Sequence, residues 1–303
     1  MEAAVKAKGH VRPVPASQDA DAVARLALVA AVAQIDWAQP WFRPFATIGT
    51  ALDSALKVGA DLRAVLSTMA TQRALRNARG VPLRFVAQAE LPAGTAYEAH
   101  IYATGAVPTR DNLHDFFNAL IWLHFPRSKR VLNRLQAHAI AAAGVQGRRG
   151  SLRDAATLFD ENAILFLSAD SGLESVLRGF GWEHLFVARR DVWDGSEHAG
   201  SRDGTARCSV VPFGHALLEK LVRPYKALTA HAWPLAVPPA AGAALPGSLD
   251  DSVCASLEAA ELHSGRFAPL PVLGIPGWCE ANRDPAYYAD TTVFRRGRRA
   301  QAA

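Results

Sequence analysis

The sequence predicts an α+β fold, in which one mainly helical domain carries a small antiparallel β element at about residues 83–104. Two observations lead to this prediction. Apolar residues recur at helical spacing in several long runs, such as Leu52, Leu56, Leu66 and Met69 within residues 50–78. Between residues 83 and 104 the pattern changes to two short strand-like runs. The chain is half apolar and one fifth charged, which excludes disordered, collagen-like and coiled-coil proteins.

Three regions follow from the pattern along the chain. Residues 1–19 are predicted to be a flexible arm, residues 20–295 a single globular domain, and residues 296–303 a disordered basic tail. The C-terminal part, rich in proline from residue 269 onward, is expected to wrap irregularly around the domain.

Nothing in the sequence indicates a membrane span or a secretory leader. The most apolar window, residues 22–35, is shorter than the roughly 20 residues that a span needs. The first eighteen residues have no continuous apolar core. The three cysteines are widely spaced and form no zinc signature, which fits a reducing compartment. We therefore expect a cytoplasmic protein.

The elements are predicted in order from caps, breakers and periodicity. Runs 83–89 and 97–103 read as a hairpin, because Pro92 and Gly94 lie between them. The helices expected after it cover residues 113–125, 127–143, 171–180, 212–228 and 250–262. Residues 163–168 read as a buried strand, residues 182–187 as a strand or a turn, and residues 233–248 as a linker.

The segment from Arg110 to Arg153 is strongly basic, with eight arginines and lysines against two aspartates. One interpretation is a solvated helix face with some ion pairing. The other is a surface for nucleic acid or another phosphate-bearing ligand. In the second interpretation, the substrate-binding residues are Arg110, Arg127, Lys129 and Arg149.

The helix predicted at residues 113–125 holds the densest group of chemically useful side chains. His114 and Asn118 share one helical face, and Asp115 lies beside them. His114 and Asp115 are the candidate catalytic residues, and Asp115 and Asn118 are candidate ligands of a divalent metal ion. The alternative is that these residues cap the helix and stabilise its dipole.

A second polar cluster, residues 148–163, adds Asp160 as a third candidate metal ligand. If this segment folds back on the first, its acidic groups either pair with the basic ones or join His114 in a metal site. His215 and Glu219 are helically spaced but do not form an HExxH motif. P-loop, GxGxxG and GxSxG motifs are absent.

Four stretches carry a resemblance to a known family: residues 84–129, which include HDFFNAL, residues 148–163, which include RDAATLFDEN, and residues 269–278 and 288–295. The chain resembles an uncharacterised bacterial family catalogued as domain of unknown function 3025. That family has no assigned activity, so the resemblance implies domain limits and no function.

The predicted hairpin followed by a helix with His114 and Asn118 is also similar to the ββα-metal (His-Me finger) nucleases. Those enzymes carry their base at the end of the first strand, whereas His114 lies at the helix start. Two functions therefore stand: a metal-assisted phosphodiester hydrolase with His114 as general base, or a non-enzymatic scaffold whose basic segment, residues 110–153, docks an acidic partner.

Overall fold

A computed structural model describes residues 16–143, 150–193, 208–236 and 246–297. The helices are α1 (Ala16–Val32), α2 (Ala46–Lys57), α3 (Leu62–Gln72), α4 (Tyr97–Thr104), α5 (Leu113–His124), α6 (Pro126–Ala143), α7 (Ser151–Asn162), α8 (Ser171–Arg178), α9 (His215–Leu221) and α10 (Pro246–Ala259). The strands are β1 (Arg84–Ala87), β2 (Ala106–Thr109), β3 (Ala163–Ser168), β4 (Cys208–Pro212), β5 (Thr229–Leu235) and β6 (Ala268–Pro271). The predicted α+β class, dominated by helices, is confirmed.

Strand β3 is one of the two inner strands of a four-stranded mixed sheet with the order β4-β3-β5-β6. It pairs antiparallel with β4 and parallel with β5, and β5 pairs antiparallel with β6. All six residues of β3 are buried, as its continuous apolar run predicts. The sheet therefore forms one wall of the core.

The predicted antiparallel hairpin at residues 83–104 is wrong. Strands β1 and β2 pair in parallel, with Arg84 opposite Ala106, and the second predicted strand is helix α4. Parallel strands need a crossover connection, and α4 supplies it. The run at residues 97–103 resembled a strand, but packing decides otherwise: α4 lies against α6, and the carbonyls of Ile101 and Tyr102 accept hydrogen bonds from the buried Asn77 side chain.

Three later predictions also need correction. The helix expected at residues 212–228 is strand β4 followed by the shorter α9, because the chain turns at Gly214 against the end of α7. Part of the linker expected at residues 233–248 belongs to β5. Residues 182–187 include neither a strand nor a simple turn, since His184–Ala188 form a π-helical turn.

Helix α5 runs through the middle of the molecule. Nine of its twelve residues are buried, and it contacts α1, α2, α3, α6 and α9. Only Phe125 separates the end of α5 from the start of α6. Its first N–H groups, at Arg127 and Ser128, donate to the Asp250 carboxylate of α10 at 2.9 Å. This long-range cap fixes α10 across the start of α6.

The proline-rich C-terminal segment packs irregularly on the core. Trp278 contacts Trp41 with ring centroids 5.5 Å apart, and Phe294 is almost fully buried. Asn282 holds the segment, because its buried amide donates to the carbonyls of Leu273 and Ile275.

The predicted arm overlaps α1, since residues 16–19 are helical. Its remainder, residues 1–15, and residues 298–303 of the predicted tail lie outside the described residues. No described helix combines the length and the apolar character that crossing a membrane requires.

Candidate functional site

The N-terminus of α5 is fixed by an Asn cap and an arginine clamp. The Asn112 side chain accepts from the Asp115 N–H at 2.7 Å, as helix-capping residues do. Both oxygens of Asp115 accept from the Arg110 guanidinium at 3.0 Å, and one also accepts from the Arg110 backbone N–H. Asp115 is therefore saturated by Arg110, and Arg110 is held beside the helix end.

The buried ammonium group of Lys129 joins helices α5, α6 and α7. Lys129 of α6, whose side chain is 4% exposed, donates to Asp160 of α7 at 2.5 Å and to Asn118 of α5 at 2.8 Å. Its ammonium also lies 5.2 Å from the centre of the Trp122 ring. Burial alone would raise the pKa of Asp160, but Lys129 holds it below its usual range. Lys129 and Asp160 therefore form a buried ion pair.

Two histidines continue this network toward the surface. His215 of α9 is buried, and its Nδ1 lies 3.8 Å from an Asp160 oxygen. The Nε2 atoms of His215 and His114 are 3.0 Å apart, and Nδ1 of His114 lies 3.1 Å from Glu219. Burial lowers the pKa of His215 to about 4, so this ring is neutral near pH 7. The result is a chain of groups, Glu219–His114–His215–Asp160–Lys129, which we call the polar chain.

Two residues of α4 border the inner end of the polar chain. The Tyr97 hydroxyl accepts from the Asn118 amide at 3.0 Å, and Glu98 accepts from Asn133 at 2.6 Å. Burial, together with the neighbouring carboxylates, raises the pKa of Tyr97 well above its usual value. Burial likewise raises the pKa of Glu98, although Lys129 opposes this shift. The inner end is thus rich in polar groups with altered proton affinity.

The outer end of the polar chain meets an open cleft. The cleft has a volume of about 470 Å³ and lies between α1, the start of α5 and the end of α9. Glu219 is among its lining residues, with Lys220, Arg223 and Leu113. The Glu219 side chain is 40% exposed, against 9% for Asp160 at the far end. The polar chain therefore leads from solvent into the core.

The structure brings His114, Asn118, Lys129 and Asp160 into this one network. It does not turn the predicted donors into a metal site. Asp115 is engaged by Arg110, and the Lys129 ammonium bridges Asn118 and Asp160. No cluster of three or more metal-binding side chains was found among the residues that the structure describes.

The predicted substrate-binding residues are dispersed. Arg127 pairs with Asp251 at the surface, Lys129 is internal, and Arg110 keeps an exposed face beside Asp115. Arg149 lies outside the described residues. Arg134 pairs with Glu258, so acidic groups of α10 pair with Arg127 and Arg134 of the basic segment. The acidic cluster also pairs with the basic segment through Asp160.

The sequence did not assign a role to His215, Glu219, Tyr97 or Glu98. The signal for the first two was their spacing of four residues on one helix, which places both on one face of α9. This face of α9 contacts the start of α5. That contact depends on the long-range packing of α5 on α9.

The comparisons with known proteins give a family and no relative of known activity. Neither a curated protein nor a solved structure matches the chain. Residues 83–298 match the family model described as protein of unknown function (DUF3025). This range includes every member of the polar chain and covers more than half of the molecule. On this match, the chain belongs to the DUF3025 family.

Proposed function

We propose that this protein is a hydrolase of phosphodiesters that works by general acid–base catalysis at Glu219 and His114. The observation that carries the proposal is the polar chain itself. The Glu219 carboxylate, at the wall of the cleft, lies 3.1 Å from Nδ1 of His114. Nε2 of His114 lies 3.0 Å from Nε2 of His215. Such an arrangement can take a proton at the surface and stabilise it inside.

In the proposed reaction, water in the cleft attacks phosphorus. One water proton passes to the Glu219 carboxylate, which shares it with Nδ1 of His114. The new P–O bond forms as the bond to the leaving alcohol breaks, and the leaving oxygen takes a proton from solvent. Glu219 is thus the group that meets the substrate, and His114, at 3.1 Å, orients its carboxylate.

The charge of the cleft supports an anionic substrate. Lys220 and Arg223 line it beside Glu219. The Arg223 guanidinium donates to the Gln34 side chain at 2.5 Å, which orients it at the cleft. Two cations in one cleft can hold the non-bridging oxygens of a phosphate group. Nucleic acid is one source of such a group, and a small phosphodiester is another.

The proposal gives no step to a metal ion. The predicted ligands Asp115, Asn118 and Asp160 do not fit one, because Arg110 binds both oxygens of Asp115 and the Lys129 ammonium lies between Asn118 and one oxygen of Asp160. A divalent ion would have to displace two ion pairs, one of them buried. Thermal denaturation with added magnesium, manganese or zinc tests this point, since a bound ion raises the Tm by mass action.

The experiment measures release of p-nitrophenol from bis(p-nitrophenyl) phosphate by the full chain. We expect turnover that falls by about 10²-fold or more in Glu219→Gln and His114→Gln, the range for loss of a general base. Arg223→Gln should raise KM more than it lowers kcat. The matched control is Glu258→Gln, which removes an exposed carboxylate of an ion pair far from the polar chain in sequence. Equal turnover in Glu219→Gln and Glu258→Gln would contradict the proposal.

The second candidate function is the non-enzymatic scaffold. Its support is the saturation of the inner network, in which Lys129, Asp160 and Asn118 satisfy one another. In that case the exposed Arg127 and Arg134, with their acidic partners on α10, would form the surface that meets an acidic partner. Absence of hydrolysis of the phosphodiester probe, of a single-stranded DNA and of a single-stranded RNA would favour this candidate.

A further inference from the structure

An exposed aromatic side chain lies in the wall of the cleft that Glu219 lines. Tyr225 is 56% exposed, and within the described ranges it is the one exposed residue among the phenylalanines, tyrosines and tryptophans. The other tyrosines each contact another ring or a polar side chain: Tyr97, Tyr102, Tyr287 and Tyr288. Covering an exposed ring with a second flat group removes apolar surface from water, which is favourable. Tyr225 is therefore a place where a ligand can be stacked.

The backbone that carries Tyr225 is held on both sides. Pro224 precedes it, and the ring of a proline fixes its own φ. The Tyr225 carbonyl accepts from the Leu228 N–H at 2.9 Å and so closes a turn. Within this turn, Lys226 pairs with Asp290 at 2.9 Å. A ring on a fixed backbone has less freedom to lose when a ligand stacks on it, so the position is prepared for binding.

The cleft is larger than a phosphate group alone needs. Its volume of about 470 Å³ falls within the range of about 300–1,000 Å³ that is typical of sites for organic ligands. Apolar residues line it beside the charged ones: Ala31, Leu113 and Val222. A ligand that fills this cleft therefore has an organic part with an apolar face.

The charges of the cleft require that the same ligand also has an anionic part. Lys220 and Arg223 line the cleft and are exposed. Arg223 donates to Gln34, a neutral side chain, so this contact leaves its positive charge available. The Glu219 carboxylate is the opposing charge among the lining residues. The two cations outnumber it, which favours a phosphate beside Tyr225.

We propose that the cleft binds single-stranded nucleic acid, with one base stacked on Tyr225 and a neighbouring phosphate held by Lys220 and Arg223. Proteins that bind single strands combine cations for the backbone with exposed aromatic rings for the bases. Tyr225 is thereby a specificity residue, which selects nucleotides over phosphodiesters that have no flat group. The position of the reacting phosphate beside Glu219 rests on the proposed function, whereas the stacking contact does not.

The test measures binding of two fluorescent probes to the full chain by fluorescence anisotropy. One probe is an oligo(dT) of about ten nucleotides, within the site sizes of single-strand-binding folds. The other has the same length and dye but is abasic throughout, so it keeps the phosphates and lacks the bases. All variants carry Glu219→Gln, which removes the proposed general base and prevents cleavage of the probe.

Tyr225→Ala should weaken oligo(dT) binding by about 5-fold or more, the contribution of one stacked base, and leave binding of the abasic probe unchanged. Arg223→Gln should weaken binding of both probes, because a phosphate contact does not depend on the base. An equal effect of Tyr225→Ala on the two probes would overturn the proposal. Absence of oligo(dT) binding would overturn it as well.

Two further variants separate stacking from other effects of the substitution. Tyr225→Phe keeps the ring and should retain the affinity for oligo(dT). Tyr102→Ala is the matched control, because it removes a tyrosine ring of α4 that contacts His138 and does not line the cleft. A loss of oligo(dT) binding in Tyr102→Ala as large as in Tyr225→Ala would contradict the stacking contact. Oligo(U) should show the same dependence on Tyr225, because the proposed contacts use the base and the phosphate and not the sugar.

This inference and the proposed function can fail separately. Binding that depends on the bases and on Tyr225, without hydrolysis by the unmodified chain, would sink the proposed function and leave this inference standing. Hydrolysis of bis(p-nitrophenyl) phosphate without binding of oligo(dT) would overturn this inference and leave the proposed function standing.

Discussion

At the scale of single residues, the environment of a side chain decides its role more than its residue type does. Lys129 was predicted to bind substrate because it lies in a basic segment, but it is buried and neutralises Asp160. Arg134, five residues later on the same helix, pairs with Glu258 at the surface. Both are cations that contact a carboxylate. The cost of removing each depends on how much water remains around the partner that is left.

Lys129→Met tests this difference. We expect a loss of about 3–5 kcal/mol in the free energy of unfolding, because Asp160 would remain as an unpaired charge inside the core. Arg134→Met, in an exposed pair, should cost roughly 0–1 kcal/mol. Urea denaturation at pH 7 measures both values. Equal and small losses would mean that water reaches Asp160 and that the inner end of the polar chain is open.

At the scale of elements, close approach of backbones determines where the functional side chains meet. Helix α9 starts immediately after Gly214, and a Cβ atom at this position would lie 2.4 Å from the backbone of Glu161 and Asn162. The absence of a side chain therefore lets α9 begin against the end of α7. This contact places His215, the next residue, beside Asp160. The parallel pairing of β1 and β2 is a similar case, since the crossover through α4 brings Tyr97 to Asn118.

Gly214→Ala should separate α9 from α7. The added methyl group meets backbone atoms that cannot rotate away, so we expect a loss of about 1–3 kcal/mol. The displacement should also weaken the hydrogen bond between His114 and His215, visible in the imidazole NMR spectrum. Gly150→Ala is the control, because no atom lies within 4 Å of its added Cβ, and its cost at a helix N-cap should stay below about 1 kcal/mol. A Gly214 variant as stable as the Gly150 variant would show that the contact is not tight.

At the scale of the whole molecule, one hydrophobic core connects α1 to the C-terminal segment. Two of the histidines that pack against it have a lowered pKa. His215 lies in the polar chain, and His124 packs 4.7 Å from the Phe45 ring. Burial lowers the pKa of each to about 4. The core therefore holds two neutral rings that the unfolded chain would protonate at a pH near 6.5.

The free energy of unfolding should consequently fall as the pH is lowered from about 6.5 to about 4. In this range the unfolded chain binds protons at both histidines, while the folded chain does not. Each group contributes up to about 3 kcal/mol, lost progressively and fully absent below pH 4. Asp160 adds to the loss at still lower pH, because its folded pKa lies below its usual value.

Urea denaturation at pH 7 and pH 4.5 measures this difference. His124→Gln should reduce it, because the variant lacks one of the groups whose pKa the fold lowers. A stability that does not change between these pH values would mean that both buried rings accept protons in the folded protein.

The sequence by itself determined the fold class, the buried strand β3, the helices α5 and α6, and the family. These features depend on local patterns: a continuous apolar run, a helical repeat, an Asn cap and a proline at the start of α6. The same patterns led to His114, Asn118 and Asp160, which do lie in one network.

Only the tertiary structure decided what that network is. The segment predicted as a hairpin is a crossover, in which α4 connects the parallel strands β1 and β2. The burial of His100 and Ile101 and the hydrogen bonds from Asn77 outweigh the weak strand propensity of this segment. His215 and Glu219 joined His114 across about one hundred residues, which no spacing can reveal. Lys129, and not a metal ion, bridges Asn118 and Asp160, because the burial of an ion pair depends on the groups that long-range packing places around it.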